Sequence, residues 1–266
     1  MEHPTERYTH GHHDSVLKSH TWRTIANSAA YLEPELSPGL SLLDVGCGPG
    51  TITVEFADRL TPGRVVGLDA SADVIAKAAA DFVRPTLDFV TGDAYALPFD
   101  DDTFDIVHAH QTLQHVADPV AVLREMRRVA KPGGLVAARD VDYAGIICYP
   151  LLPGLSRWLE LYERVHRSNG GEPDAGRRMK AWALEAGFTE IAATASLWSF
   201  SDQVDREWWG SMWEARVLQS AFAGDAVSKG LATHEELEFI SRSWREWADS
   251  EEGWLAMPHG EILARA

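Results

Sequence analysis

The segment Leu42-Leu43-Asp44-Val45-Gly46-Cys47-Gly48-Pro49-Gly50-Thr51 constrains this chain most. An apolar run ends in a carboxylate and passes at once into three glycines, the pattern of a buried strand turning sharply into a helix. Glycine admits positive φ and close backbone approach, and the following helix aims free N–H groups at whatever sits there. A ligand is therefore expected against this turn.

The spacing narrows the choice of ligand. Nicotinamide-dinucleotide turns carry G-x-G-x-x-G, whereas the glycines here stand at 46, 48 and 50, and Thr51 falls where the third dinucleotide glycine would be. Tyr-x-x-x-Lys, a common catalytic pair of such oxidoreductases, is absent from the chain. Asp44, just before the turn, suits a cationic ligand better than a pyrophosphate. Here the chain resembles the class I S-adenosylmethionine-dependent methyltransferases, whose first motif reads apolar-apolar-acid-apolar-G-x-G-x-G.

Two further acids follow. Arg64-Val65-Val66-Gly67-Leu68-Asp69 reads as a second strand, and its acid stands about 20 residues beyond the turn, the separation at which a carboxylate meets ribose hydroxyls. Leu87-Asp88-Phe89-Val90-Thr91-Gly92-Asp93-Ala94 is a third short strand. The resemblance places an acid there on the adenine amino group, which assigns Asp93, with the Ala94 N–H beside the ring. The expected cofactor site is thus Asp44, Gly46, Cys47, Gly48, Gly50, Asp69, Ala70, Asp93, Ala94 and His110, and the expected cofactor is S-adenosyl-L-methionine. Leu97 to Val107 and Leu113-Gln114-His115-Val116-Ala117-Asp118-Pro119 are similar to the ubiquinone/menaquinone-biosynthesis-like branch. Many members carry two histidines where this chain has Gln114-His115.

Strand and helix patterns alternate from Leu40 to Asp140, with helices near Ala72 to Val83 and Pro119 to Ala130, which calls for a parallel sheet covered on both faces. Lys131-Pro132-Gly133-Gly134 ends the second of these before a fifth strand near Leu135 to Asp140. The resemblance implies an α/β, Rossmann-like, seven-stranded, mostly parallel sheet with helices on both faces, an antiparallel last strand, an N-terminal helical lid and helical cap insertions. The expected division is a lid over residues 1–35, a cofactor-binding core over 36–145, and the rest of the sheet with a substrate cap over 146–266, the cap being 146–173 and 202–250. Trp254 to His259 then begins the last strand on the cofactor side.

Nine of the ten tryptophans lie beyond residue 150. Filling the interior of a helical cap is the plain reading for each. Trp208-Trp209 and Trp213 add to it, because residues four apart share a helix face and adjacent ones do not. A largely apolar or aromatic acceptor pocket is expected, with Tyr8, His13, Trp208, Trp213 and His259 as substrate-binding residues.

Methyl transfer from a sulfonium is an in-line displacement that depends mainly on alignment, so few catalytic residues are needed. A phenol, hydroxyl or acidic carbon as acceptor is helped by a base, and histidine is the usual one. Of the 11 histidines, His110, just past the fourth strand, is the first candidate and His115 the second. His108, on the strand, reads as a core or helix-facing residue. His10, His12 and His13 raise metal binding, but no acid or cysteine completes a set nearby, so no metal is expected.

With 24 Lys+Arg against 40 Asp+Glu, the formal net charge is −16, which removes non-specific attraction to phosphate backbones and makes a small-molecule acceptor the expected partner rather than nucleic acid. No apolar run reaches bilayer length, so no membrane partner is expected. The N-terminus lacks the basic and apolar regions of a signal peptide, and two cysteines make no disulfide framework, so a cytoplasmic location is expected. Cys47 reads as a small apolar residue of the turn. A homodimer is left open as an assembly. The expected activity is methyl transfer to carbon or oxygen of a small apolar or aromatic molecule. S-methylation of a small thiol and a non-catalytic cofactor-binding regulator remain as alternatives.

Overall fold

A computed structural model describes residues 22–266. Tyr8, His10, His12 and His13 lie outside the described residues. The central sheet uses β1 (Leu42–Val45), β2 (Val65–Asp69), β3 (Leu87–Thr91), β4 (Phe104–His110), β5 (Ala130–Val141), β6 (Ile147–Tyr149), β7 (Ile191–Phe200) and β8 (Trp254–Arg265). Its first five strands are parallel, in the order β3-β2-β1-β4-β5. The last, β8, runs antiparallel to β5 on one side and to β7 on the other. The architecture is thus the expected one, with one addition. An eighth strand, β6, arises where only cap was expected. It pairs with Trp254 to Ala256 of β8, on the edge that β5 leaves after Val141.

Strand residues alternate between the two faces of the sheet, and the cores follow that alternation. Leu42 joins Val65, Leu135 and Ala137 in one core with Phe56 and Leu60 of helix Thr51–Leu60. Leu43 and Val45 join the opposite core with Leu123 and Met126 of helix Pro119–Val129 and Met179 and Ala183 of helix Ala175–Glu185. The predicted N-terminal helix appears as two short turns, Ile25–Ala29 and Ala30–Glu35. Thr24 caps the first, and Ile25, Ala29 and Leu32 pack into the first core.

A third core lies over the carboxyl ends of the parallel strands. Helices Pro153–Ser168, Gln203–Gln219, Ala221–Ser228 and His234–Asp249 enclose Trp158, Trp213, Trp244 and Trp247, which meet Trp198 and Phe200 of β7 and Leu255 and Met257 of β8. Each buried tryptophan removes about 150–250 Å² from water, so a few of them supply much of this small core. Among the described residues no helix is long and apolar enough to cross a membrane.

Candidate active site

The cleft between the strand ends and this third core has a volume of about 480 Å³. One end is built by the glycine turn. Gly46 has φ +72° and Gly50 φ +82°, and Gly50 leads into helix Thr51–Leu60. A Cβ on Gly46 would lie 2.3 Å from Thr112 Oγ1, and one on Gly50 would lie 2.7 Å from Phe89. Both conformation and space therefore require glycine.

The three acids all line this end. Asp69 accepts from the Gly48 and Ser71 N–H groups, each at 3.0 Å, one on each oxygen. Asp93 accepts from the Tyr95 N–H at 2.9 Å. Asp44 is buried, and its carboxylate is taken by Thr53 Oγ1 at 2.6 Å and His108 Nδ1 at 2.8 Å. His108 thus orients Asp44 while its ring meets Phe56 edge-on at 5.0 Å, which is the helix-facing position expected of it. Gly46, Cys47, Gly48, Ala70 and Ala94 also line the cleft, whereas Gly50 does not and acts through the backbone geometry behind the turn. Burial, with Asp44 and Asp69 adding to it, pushes the Cys47 thiol well up, so it stays protonated and is no nucleophile.

This donor set fits S-adenosylmethionine. Carboxylates at the ends of adjacent strands match ribose hydroxyls and an adenine amino group, and the acidic wall matches a cation.

The other end is formed by residues far apart in sequence. His110, at the end of β4, is 5% exposed, and neither ring nitrogen has a hydrogen-bond partner among the described residues. Burial holds its pKa well below the ordinary value, and the charges of Arg23 and Arg139 lower it further, so the ring is neutral with a lone pair available. Gln111 follows with φ +51°, a strained conformation for a residue with a side chain. Its carbonyl accepts from Arg23 Nη2 at 2.6 Å, and its amide meets His259 Nε2 at 2.8 Å. His259 Nδ1 donates to the Met257 carbonyl at 3.0 Å, which leaves Nε2 to accept from Gln111.

His259, expected in the substrate pocket, is fully buried and does not line the cleft. It stands behind His110, with ring centres 6.3 Å apart, and packs on Trp198 at 4.4 Å. Trp208 is likewise displaced from its expected place, packing outside against Trp22 and Phe200, while Trp209 and Trp213 line the cleft together. Residues 209 and 213 share a helix face, and the four-residue spacing was the signal that could have chosen Trp209 over its neighbour.

His115 lines the cleft from the short turn Leu113–His115, its ring 5.0 Å from His166. Two buried groups hold that turn: Asp140 accepts from the Leu113 N–H at 2.9 Å, and His166 Nε2 meets the Gln114 carbonyl at 2.7 Å. Burial pushes the Asp140 carboxyl up to about 7 and brings His166 down to about 4. Arg23, Gln111, Gln114, Tyr143, Trp198, Arg216 and Met257 also line the cleft, and none had been expected there. Among the described residues no cluster of histidine, cysteine and acid could hold a metal ion.

A methyltransferase-domain family model matches residues 43–138. An uncharacterized methyltransferase of Schizosaccharomyces pombe is 33% identical over 99% of this chain and 98% of its own. The demethylmenaquinone methyltransferase of Lactococcus lactis is 36% identical over 47% of this chain and 48% of its own. Among solved structures, the YcgJ protein of Bacillus subtilis shares the fold with a TM-score of 0.57 at 18% identity, covering 89% of this chain and 96% of that one. The chain belongs to the S-adenosylmethionine-dependent methyltransferase family, and S-adenosylmethionine is its cofactor.

Proposed function

We propose that this enzyme methylates a carbon or oxygen of a small, largely apolar aromatic molecule, with His110 taking the acceptor's proton. The observation that carries this reading is His110 itself, a buried neutral imidazole with no hydrogen-bond partner among the described residues, in the wall of a cleft whose far end is faced with Trp198, Trp209 and Trp213. Buried polar groups are nearly always satisfied, so a partnerless one in a cleft implies a ligand that satisfies it. The cofactor, when bound, supplies a methyl group on a sulfonium that departs as a neutral thioether.

The chain's own work is alignment and proton removal. Asp69 and Asp93 hold the nucleoside end in this reading, the tryptophans exclude water around the ring, and the His110 lone pair receives the O–H or C–H proton as the new bond forms. Gln111 and His259 are positioning residues that brace the floor beside His110. His115 is the second candidate base, held in place by the same turn as Gln114. The partial match to a demethylmenaquinone methyltransferase supports an unsaturated ring as acceptor. The acidic balance of the chain supports a small molecule over nucleic acid.

The test is methyl transfer from S-adenosylmethionine to matched panels of phenols, quinols and aliphatic thiols, read by mass spectrometry. Products from the ring panels are expected. Methylation confined to thiols would replace the reading with S-methylation, and methylation of none of the ring panels would overturn it.

A further inference from the structure

From His110 a row of buried polar side chains crosses the sheet. His110 of β4 stands opposite Arg139 of β5, Arg139 opposite Glu261 of β8, and Glu261 opposite Thr194 of β7. Residues paired in register point to the same face of a sheet, so these four side chains lie in one line across four strands. Arg139 is 1% exposed and Glu261 5%. Charges buried this deeply persist only when they are paired and hydrogen-bonded.

Glu261 is held on both oxygens. Oε1 accepts from Ser196 Oγ at 2.5 Å and Oε2 from Thr194 Oγ1 at 2.8 Å. Arg139 Nε donates to Ser196 Oγ at 3.0 Å and to Glu261 Oε1 at 3.3 Å, whereas Nη1 and Nη2 have no partner among the described residues. The pair is thus joined through one nitrogen, and the Nη end of the guanidinium keeps its positive charge. The Trp198 ring ties this pair to the base, since its centre lies 5.1 Å from the Arg139 guanidinium carbon and 5.8 Å from the centre of the His110 ring. Burial pulls Arg139 down only to about 10, so it is cationic at neutral pH.

We propose that Arg139 and Glu261 are positioning residues for His110: the guanidinium keeps the imidazole free of a proton between turnovers, and Glu261 limits how far that charge weakens the base. The assignment rests on the reading of His110 as the base. As the methyl carbon bonds to it, an acceptor oxygen or ring carbon becomes positively charged and its proton far more acidic, so a weak base suffices. The proton passes to the His110 lone pair. An imidazolium beside a guanidinium then gives it up to water once the product has left, which restores the neutral ring. The other charged or titratable groups that face His110 are Arg23 before the first short turn, His259 on β8 and His108 on its own strand, and all act on it in the same direction as burial and Arg139.

The experiment reads the His110 ring directly, by nitrogen NMR of histidine-labelled protein with S-adenosylhomocysteine bound, and sets it beside the acid limb of turnover. The native ring is expected to be neutral at pH 5.5. Arg139→Met with Glu261→Met exchanges the pair for apolar side chains of similar length, a replacement that buried ion pairs often tolerate. In this double variant the His110 midpoint should rise by about one pH unit, a 10-fold gain in the protonated-to-neutral ratio at the lowest pH where both proteins are folded. Glu261→Gln keeps an acceptor for a hydroxyl but removes the charge, and should move the midpoint down. An equal ratio in the native protein and the double variant overturns the proposal, and so does an upward shift in Glu261→Gln. A native His110 that is protonated at pH 5.5 overturns it even if no variant folds. If the midpoint moves as expected and the acid limb does not follow it, His110 is not the base, while the action of the pair on its ring stands.

Discussion

The two ends of the cleft are made in different ways. At the cofactor end, Asp69 and Asp93 each accept from a backbone N–H two residues on, Ser71 and Tyr95, although Asp69 also accepts from Gly48 and Asp44 is held by His108, 64 residues away. At the acceptor end the partners are remote. Arg23 and Gln111 are 88 residues apart and Gln111 and His259 are 148 apart, yet each pair is hydrogen-bonded. The glycine turn and its nearest N–H contacts form from local sequence, whereas the acceptor end exists only after the cap has docked on the strand ends.

The contrast is tested most severely by acid. His110, His115, His166 and His259 all belong to the acceptor end, and burial depresses each. Their contribution is intact above the unfolded value near 6.5 and is lost as pH falls toward the folded values, because the unfolded chain binds protons that the folded one refuses. The loss is about 1.4 kcal/mol per histidine for each pH unit below 6.5. Asp140, raised to about 7, works in the opposite sense over the same window, but one acid opposes four histidines. Denaturant unfolding at pH 7.5 and 5.5 should therefore show a loss of a few kcal/mol, with tryptophan emission from the cap changing along with it. Equal stability at the two values would mean that these histidines are solvated.

His110→Ala should lower turnover by about 100-fold or more while cofactor affinity, measured by calorimetry, hardly changes. The native acid limb should fall below pH 6.5, in keeping with the direction of the His110 shift, and should vanish in the variant. If the limb persists there and is lost in His115→Ala, the base is His115. Asp69→Ala is the converse probe. It removes a charge-assisted contact worth roughly 1.5–3 kcal/mol, so S-adenosylhomocysteine should bind about 10- to 100-fold more weakly, with the affinity for aromatic ligands little changed. A loss confined to the acceptor would show that the two ends are not separable.

The smallest effect sharpens the comparison within the cap. Trp209→Phe should raise the acceptor KM about 3- to 10-fold, the worth of an aromatic contact, while Trp208→Phe should stay within about twofold. Equal effects would restore Trp208 to the pocket.

The sequence by itself determined the α/β order of elements, the parallel core, the glycine turn and the placing of Asp44, Asp69 and Asp93 on neighbouring strand ends. These follow from apolar alternation, turn chemistry and spacing, all set within about twenty residues of chain. It also singled out His110, because a residue just past a parallel strand lies at the ligand-binding edge. The antiparallel setting of β8 was legible only through family resemblance, since a strand's direction leaves no mark on its residues. Tertiary structure alone decided that Asp44 is held by His108 and Thr53, that Trp209 rather than Trp208 faces the cleft, and that His259 stands behind it. It alone brought Arg23 and Arg216 into the lining of that cleft. Such choices depend on which face of a helix or strand docks against which neighbour, and that is settled by packing across the whole molecule.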